Sequence, residues 1–343
     1  MTRLSFCIAT RNRADFIGET LESITRQCDG CGDDVEIVVL DGASTDNTAE
    51  VIGKLQSSFS FIHYFRQENN GGVDRDYDVA VGLARGEYCW LMSDDDLIKP
   101  GAVDLVLKAI SRGYSLIIVN ADLWTFDFSA QIVANRLHFE SDRAYPPADF
   151  GRLFEETSAY LTYIGAVVIR REIWQSRQRE PYFGSYFIHV GVIFQERLPG
   201  ETLVIGQPLI AIRFGNTQWR PREFEIRMIR WPELIWSLPA IPEAVRSRVY
   251  RRMPWRSLKS LLFYRAKGTY DMDDYRRWIE PRATSFRDKA LAVGIARLPG
   301  TLANLIGFVF CGLFKYRDSN VHFLDMKISR FYFGRLFKRK AAS

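Results

Sequence analysis

The stretch that decides the fold is Ala84-Arg-Gly-Glu-Tyr-Cys-Trp-Leu-Met-Ser-Asp-Asp-Asp96. Its Tyr88 to Met92 run is apolar and unbroken by charge, the pattern of a central parallel strand covered on both faces, and it ends directly in three carboxylates. Pro100-Gly101 then opens a helix through residue 110, and residues 115–120 read as another strand. Working back toward the N-terminus, residues 4–9, 35–40 and 61–65 are further strand candidates. They alternate with helical spacing over 15–26, a segment opened by Thr45 or Asp46 and running to 55, and a segment around 79–84. That alternation predicts an α/β fold with a mostly parallel sheet and helices on both faces. Ligands of such sheets bind beyond the carboxyl ends of the strands. Asp41 and the Asp94-Asp95-Asp96 run both follow strands, so the topology predicts that they converge on one crevice.

Three adjacent carboxylates raise one another's pKa unless a cation sits among them. Hard oxygen ligands suit Mg²⁺ or Mn²⁺, which takes one or two carboxylates and completes its shell with water and phosphate oxygens. The alternative is a solvated acidic turn capping the helix after Pro100. Asp41 at another strand end, with Arg75 between the two acidic positions, favours a metal and phosphate site.

Five ordered motifs then carry a resemblance. Leu4-Ser-Phe-Cys-Ile-Ala-Thr-Arg-Asn-Arg13, Val39-Leu-Asp-Gly-Ala-Ser-Thr-Asp-Asn-Thr48, Asn70-Gly-Gly-Val-Asp-Arg75, the stretch quoted at the outset and Pro100-Gly101 together resemble family 2 glycosyltransferases of the GT-A fold. The resemblance covers roughly the first 120 residues. It implies that Thr10 and Arg13 edge the nucleotide pocket, that Asp41 bonds the base or ribose, and that Arg75 approaches the diphosphate. It also implies that Asp94 and Asp95 contact the nucleotide-sugar, and that Asp94 and Asp96, which look like the DxD element, hold Mn²⁺ or Mg²⁺. Asp76 departs from the family, which often has Asn after the Arg. A surface cation paired with Asp74 or Asp78 is the other reading of Arg75.

Residues 163–169 read as a strand, and Pro181-Tyr-Phe-Gly-Ser-Tyr-Phe-Ile-His-Val190 leads into a helix. Inverting members of the family place a carboxylate here to take the acceptor proton, and none lies between Glu180 and Glu196. His189 is the candidate base in its place; the competing reading is a satisfied core histidine. The same stretch, with Pro208-Leu-Ile-Ala-Ile-Arg213 and Gly215-Asn216, resembles the O-antigen abequosyltransferase branch, which adds a dideoxyhexose to a lipid-linked oligosaccharide. That resemblance implies Arg213 beside the donor diphosphate, Trp219 beside the acceptor sugar, and a retained anomeric configuration.

The chain has 343 residues, 47% hydrophobic and 25% charged, with a net charge of +5. That composition excludes a disordered chain and a small disulfide scaffold, and the length suggests two domains. We expect a catalytic domain over residues 1–215, with nucleotide-sugar binding over 1–120 and the acceptor side over 121–215, and a helical basic region over 216–343. The charge is unevenly spread: residues 1–210 carry 19 Lys/Arg against 30 Asp/Glu, whereas residues 211–343 carry 27 against 11. Residues 298–314 hold 17 positions without charge, at the lower limit for a membrane span and interrupted by Pro299, Gly300, Gly307 and Gly312. Leu298, Leu302, Leu305, Ile306, Val309, Phe310 and Leu313 form one helical stripe, which fits an in-plane segment at an anionic membrane surface. The alternative is a bundle that packs on the catalytic domain or joins two copies of the chain. Nucleic-acid binding is not expected, since no recognition motif accompanies the charge.

Five cysteines, an odd number, argue against a disulfide framework. Cys28-Asp-Gly-Cys31 reads as a loop, and the N-terminus lacks a signal-peptide pattern. The expected location is therefore peripheral, on the cytoplasmic face of a bacterial inner membrane, where the enzyme meets a lipid-linked glycan. The rivals are a nucleotidyltransferase, whose Gly-rich basic loop is absent after the first strand, and a non-catalytic scaffold that binds nucleotide-sugars.

Overall fold

The protein is described here from a computed structural model, in which residues 2–28, 32–313 and 319–334 are described. The strands are β1 (Leu4–Thr10), β2 (Val35–Asp41), β3 (Ile62–Arg66), β4 (Tyr88–Met92), β5 (Leu97–Ile98), β6 (Leu116–Trp124), β7 (Gln131–Val133), β8 (Arg143–Tyr145), β9 (Val167–Arg170) and β10 (Thr202–Arg213). They form one sheet in the order β3-β2-β1-β4-β9-β6-β10-β5, with β7 on β6 and β8 on β10. The helices that follow the early strands are α1 (Ala14–Thr25), α2 (Thr48–Ser58), α3 (Val73–Leu83) and α4 (Ala102–Ile110). The acceptor side adds α5 (Phe150–Thr157), α6 (Arg171–Ser176) and α7 (Ile188–Phe194).

The expected alternation is present, with one refinement. Strands β3, β2, β1 and β4 are parallel, but β9 lies antiparallel to both β4 and β6. The strand expected over 163–169 starts only at Val167, because residues 164–166 form a short 3-10 turn. This β9 insertion separates the parallel nucleotide half from the β6 and β10 pair, which are parallel to each other. Strand β4 sits between β1 and β9, and every residue from Tyr88 to Met92 is buried. Trp90 stacks on Phe6 with ring centroids 4.9 Å apart, and its indole nitrogen donates to the Gly165 carbonyl at 2.8 Å. The buried indole thus has the partner its N–H requires.

The described residues fall into two compact units. The first is Met1–Phe214 with Ser237–Val249, and the second is Gly215–Trp236 with the segment from Tyr250 onward. The helix Glu243–Val249 rejoins the first unit by sequence excursion, with Arg248 paired to Glu155 at 2.9 Å and 3.0 Å. In the second unit, Phe224, Trp255, Leu261, Tyr270 and Ile279 build a separate core. Lys267 is buried among the helices of this unit and held by Glu223 and, at 2.9 Å, by Asp325. Isolated buried ammonium groups are costly, so its two carboxylates are needed. Cys7, Cys28, Cys89 and Cys311 are buried, while Cys31 lies outside the described residues.

Candidate active site

Parallel pairing fixes where the site forms. Thr10 is the register partner of Asp41, so β1 and β2 end level with each other. On the other side of β1, Ile8 pairs with Met92, and the chain leaves β4 into Ser93-Asp94-Asp95-Asp96. The acidic loop is then pinned from its far side, because β5 pairs antiparallel with β10 through Leu97↔Ala211 and Ile98↔Ile210. Gly101, with φ of +82°, makes the turn into α4 that a residue with a Cβ resists.

Arg13, just past β1, reaches over this loop: its Nε lies 3.3 Å from Asp94 and its guanidinium 3.1 Å from Asp95. Asp96 accepts from the Ser93 hydroxyl and, at 2.8 Å, from the Arg213 backbone N–H. Burial, followed by the charge of Asp95, pushes both Asp94 and Asp96 up to about 7. The loop therefore holds more carboxylate than its protein partners neutralise. Among the described residues no group of three metal-binding side chains occurs. Asp94 and Asp96 still fit an Mg²⁺ or Mn²⁺ ion, which needs only one or two carboxylates when diphosphate oxygens fill its other positions. The buried hydroxyls of Thr10 and Tyr163 lie beside the loop, the first directed at Asp94 and the second at Asp96, and each favours the ionised carboxylate.

Asp41 is fully buried, with one oxygen accepting the Ser44 N–H and the other the Tyr64 hydroxyl, each at 2.7 Å. Burial and Asp41 together raise the Tyr64 phenol. Arg75 is exposed and its guanidinium rests 4.8 Å from the Phe183 ring centroid. Asp74 and Asp78, its alternative partners, are engaged elsewhere. Asp74 accepts backbone N–H groups of Tyr186 at 2.8 Å and Ile188 at 3.1 Å. Asp78 pairs with Arg179 at 3.1 Å and accepts from Trp174 at 2.9 Å.

One expectation needs correction. His189 is fully buried, and its Nε2–H donates to the Leu161 carbonyl at 2.6 Å. Burial lowers its pKa to about 4, so it is a neutral core histidine out of reach of a substrate hydroxyl, not a general base. Arg213 lies against the acidic loop. Its Nε donates to the Asp95 carbonyl at 3.0 Å, one terminal nitrogen to the Phe126 carbonyl at 2.7 Å, and the other to Glu19. Phe128 lies 4.4 Å from the same guanidinium. Arg213 is a clamp beneath the acidic loop, a positioning residue. Trp219 belongs to the second unit, where Arg227 lies 5.4 Å from its ring centroid.

The structure adds one residue that no motif exposed, Tyr64, and gives Asp76 its surroundings. Tyr64 orients Asp41 from the next strand, a contact visible only once β2 and β3 pair. Asp76 is buried with Oδ1 unpartnered, and burial pushes it up to about 6. Its carboxylate occupies the space beside Gly42, where a Cβ would come within 2.8 Å of it. The Gly-Gly signal at 71–72 marks the turn before α3 but carries no hint of that fit.

Comparison with known proteins places this geometry. The model of the family described as "Glycosyl transferase family 2" matches residues 5–176. The chain belongs to glycosyl transferase family 2. The matched span of this glycosyltransferase contains β1 to β4, the acidic loop and β9. It is 26% identical over 236 residues to abequosyltransferase RfbV of Salmonella typhimurium, covering 64% of this chain and 69% of that protein. It is 30% identical over 121 residues to a GalNAc(5)-diNAcBac-PP-undecaprenol beta-1,3-glucosyltransferase of Campylobacter jejuni, covering 35% of this chain and 38% of the relative. Among solved structures, TarS 1–349 of S. aureus in complex with UDP-GlcNAc superposes with a TM-score of 0.59 at 14% identity, over 99% of this chain and 92% of that one. The mannosyltransferase PcManGT of Pyrobaculum calidifontis, in complex with GDP-Man and Mn²⁺, gives 0.54 at 15% identity over 95% and 86%. At such identities these structures establish the GT-A fold of the glycosyltransferase and nothing finer.

Proposed function

We propose that this glycosyltransferase moves one sugar from a nucleoside-diphosphate donor to a lipid-linked, polyprenyl-diphosphate oligosaccharide in surface polysaccharide synthesis, with a dideoxyhexose of the abequosyl type as the sugar. The observation that carries the donor half is the acidic loop at the end of β4, where burial and Asp95 hold Asp94 and Asp96 near 7 beside Arg13. Mg²⁺ or Mn²⁺ held by Asp94 and Asp96 would act as a Lewis acid toward the leaving diphosphate. Thr10, Arg13 and Asp41 line the nucleotide side, and Arg75 supplies a mobile cation toward the phosphates. The acceptor half draws on RfbV and on the undecaprenol-linked substrate in the name of the Campylobacter relative.

With His189 enclosed in the core, the acceptor proton passes to a substrate group, an arrangement compatible with retention of anomeric configuration. Arg213 contributes by holding the Asp95 carbonyl and the Asp96 carboxylate in place.

The test starts with thermal shift of the full chain against nucleoside diphosphates with Mn²⁺. A donor nucleotide at a hundred times its Kd stabilises a protein by about 2.7 kcal/mol, an easily read shift. Donor hydrolysis and transfer are then measured for the wild type and for Asp96→Asn. Turnover of the variant should fall by about a hundredfold or more, the usual scale for loss of a charge-stabilising group. Absence of any nucleotide-dependent shift, or wild-type turnover in the variant, overturns the reading.

A further inference from the structure

The helix Gly300–Leu313 in the second unit is seated the wrong way round for a helix in water. The side that packs inward consists of Gly300, Ala303, Asn304 and Cys311. Gly307 joins that side, since a Cβ there would sit 3.2 Å from the Ala266 methyl and 3.2 Å from the Met326 sulfur. Asn304 fastens the seat, donating to the carbonyls of Ala266 at 3.1 Å and Met326 at 3.0 Å. The large residues point the other way: Leu302, Leu305, Ile306, Val309, Phe310 and Leu313 are between 37% and 72% exposed. Their spacing puts them on one face. Leu298, the first residue of the stripe read from the sequence, is instead partly buried against the neighbouring core. Soluble helices bury their large apolar residues and expose small or polar ones, and a contiguous apolar patch of this kind marks an interaction surface.

Length and charge select the partner. Fourteen residues at 1.5 Å each make a helix of roughly 21 Å, short of the ~30 Å hydrocarbon core. Among the described residues no single helix is long and apolar enough to cross a membrane, and the preceding helix Phe286–Arg297 meets this one at 98°. One exposed face of large residues along a short helix fits an orientation in the membrane plane. The helix carries no charged residue, yet it belongs to the half of the sequence with 27 Lys/Arg against 11 Asp/Glu. Lys259 lies 5.2 Å from the Phe310 ring centroid, placing a cation at the edge of the apolar face. A basic rim repels a second copy of the same rim and is attracted to anionic headgroups.

We propose that the face formed by Leu302, Leu305, Ile306, Val309, Phe310 and Leu313 docks in plane on a bilayer containing anionic phospholipid. Arg and Lys side chains of the second unit contact the headgroups. This makes the enzyme peripheral. The inference concerns the second unit and stands whether or not the transfer reading holds.

The experiment is flotation of the full chain with vesicles of phosphatidylglycerol and phosphatidylethanolamine, or of phosphatidylcholine alone, at low and high salt. The wild type should float with the anionic vesicles, and less so with phosphatidylcholine or at high salt. The double variant L305E/V309E alters two exposed side chains, so it should keep its melting temperature. Its vesicle-bound fraction should fall by about tenfold or more, the factor carried by one buried leucine side chain. Donor hydrolysis by this variant in detergent solution reports the transfer reading separately. No flotation at low salt, equal flotation of wild type and variant, or a lipid-free dimer that the variant splits into monomers would each overturn membrane docking.

Discussion

At the scale of single residues, chemistry assigned by type gives way to chemistry assigned by surroundings. His189 has the right side chain for a base, but its ring is enclosed and its pKa is pushed down to about 4 from 6.5. Between those two pH values the unfolded chain binds a proton that the folded chain refuses. Stability is therefore intact above about pH 6.5 and declines as pH falls toward 4, by an amount of order 3 kcal/mol. His189→Gln keeps a donor for the Leu161 carbonyl and removes the titration. Melting curves should show the wild type losing more stability than this variant between pH 7.5 and pH 5, and the variant should keep donor hydrolysis at neutral pH. Arg75, in contrast, is exposed, with its guanidinium resting on Phe183. Arg75→Ala should raise the donor KM by about tenfold, the worth of one charge-assisted hydrogen bond, with little change in melting temperature.

At the scale of elements, the site depends on two supports that lie far away in sequence. The first is β10, which pairs with β5 and delivers the Arg213 backbone and side chain to the acidic loop. Arg213→Ala leaves the Asp95 and Phe126 carbonyls without their donor. We expect a loss of about 2–4 kcal/mol in unfolding free energy, read by denaturant titration, together with weaker metal-dependent donor binding read by calorimetry. Arg213→Lys should recover little, because an ammonium group cannot span three acceptors in different directions. The second support is Asp74, which stands on α3 and receives two backbone N–H groups from the turn that begins α7. Asp74→Asn turns one acceptor into a donor facing an N–H and should cost about 1–3 kcal/mol. Asp74 and Arg213 both lie in the quoted motifs, but neither motif reveals what its residue contacts. Their partners are more than a hundred residues distant, and only the sheet brings them together.

At the scale of the whole molecule, the charge division along the sequence corresponds to a division in structure. The first unit runs to Phe214, and Ser237–Val249 returns to it. Such a return leaves no signature in composition, because a short helix with Arg248 reads the same whether it pairs with Glu155 or faces solvent. Removing residues from 290 onward is a poor probe of membrane attachment. It would strip Asn304, Met326 and Ser329 from the second unit and expose Ala266 and its neighbours. Point substitutions on the exposed face test the same idea while leaving that packing in place. The basic aromatic terminus around Arg335, Lys338, Arg339 and Lys340 lies outside the described residues.

Local pattern suffices for the early strands, the acidic loop at the end of β4, the place of Asp41 and Asp94–Asp96 after strands, and the apolar stripe after residue 300. These follow from local periodicity and from the rule that parallel strands expose their carboxyl ends together, so no distant contact is needed to read them. Only the tertiary structure decided what each polar side chain faces. It enclosed His189, turned Arg213 beneath the loop, set Tyr64 and Asp76 beside Asp41, and faced the large residues of Gly300–Leu313 outward. Burial and hydrogen-bond partnership are properties of the space around a residue, and that space is filled by segments a linear pattern does not connect.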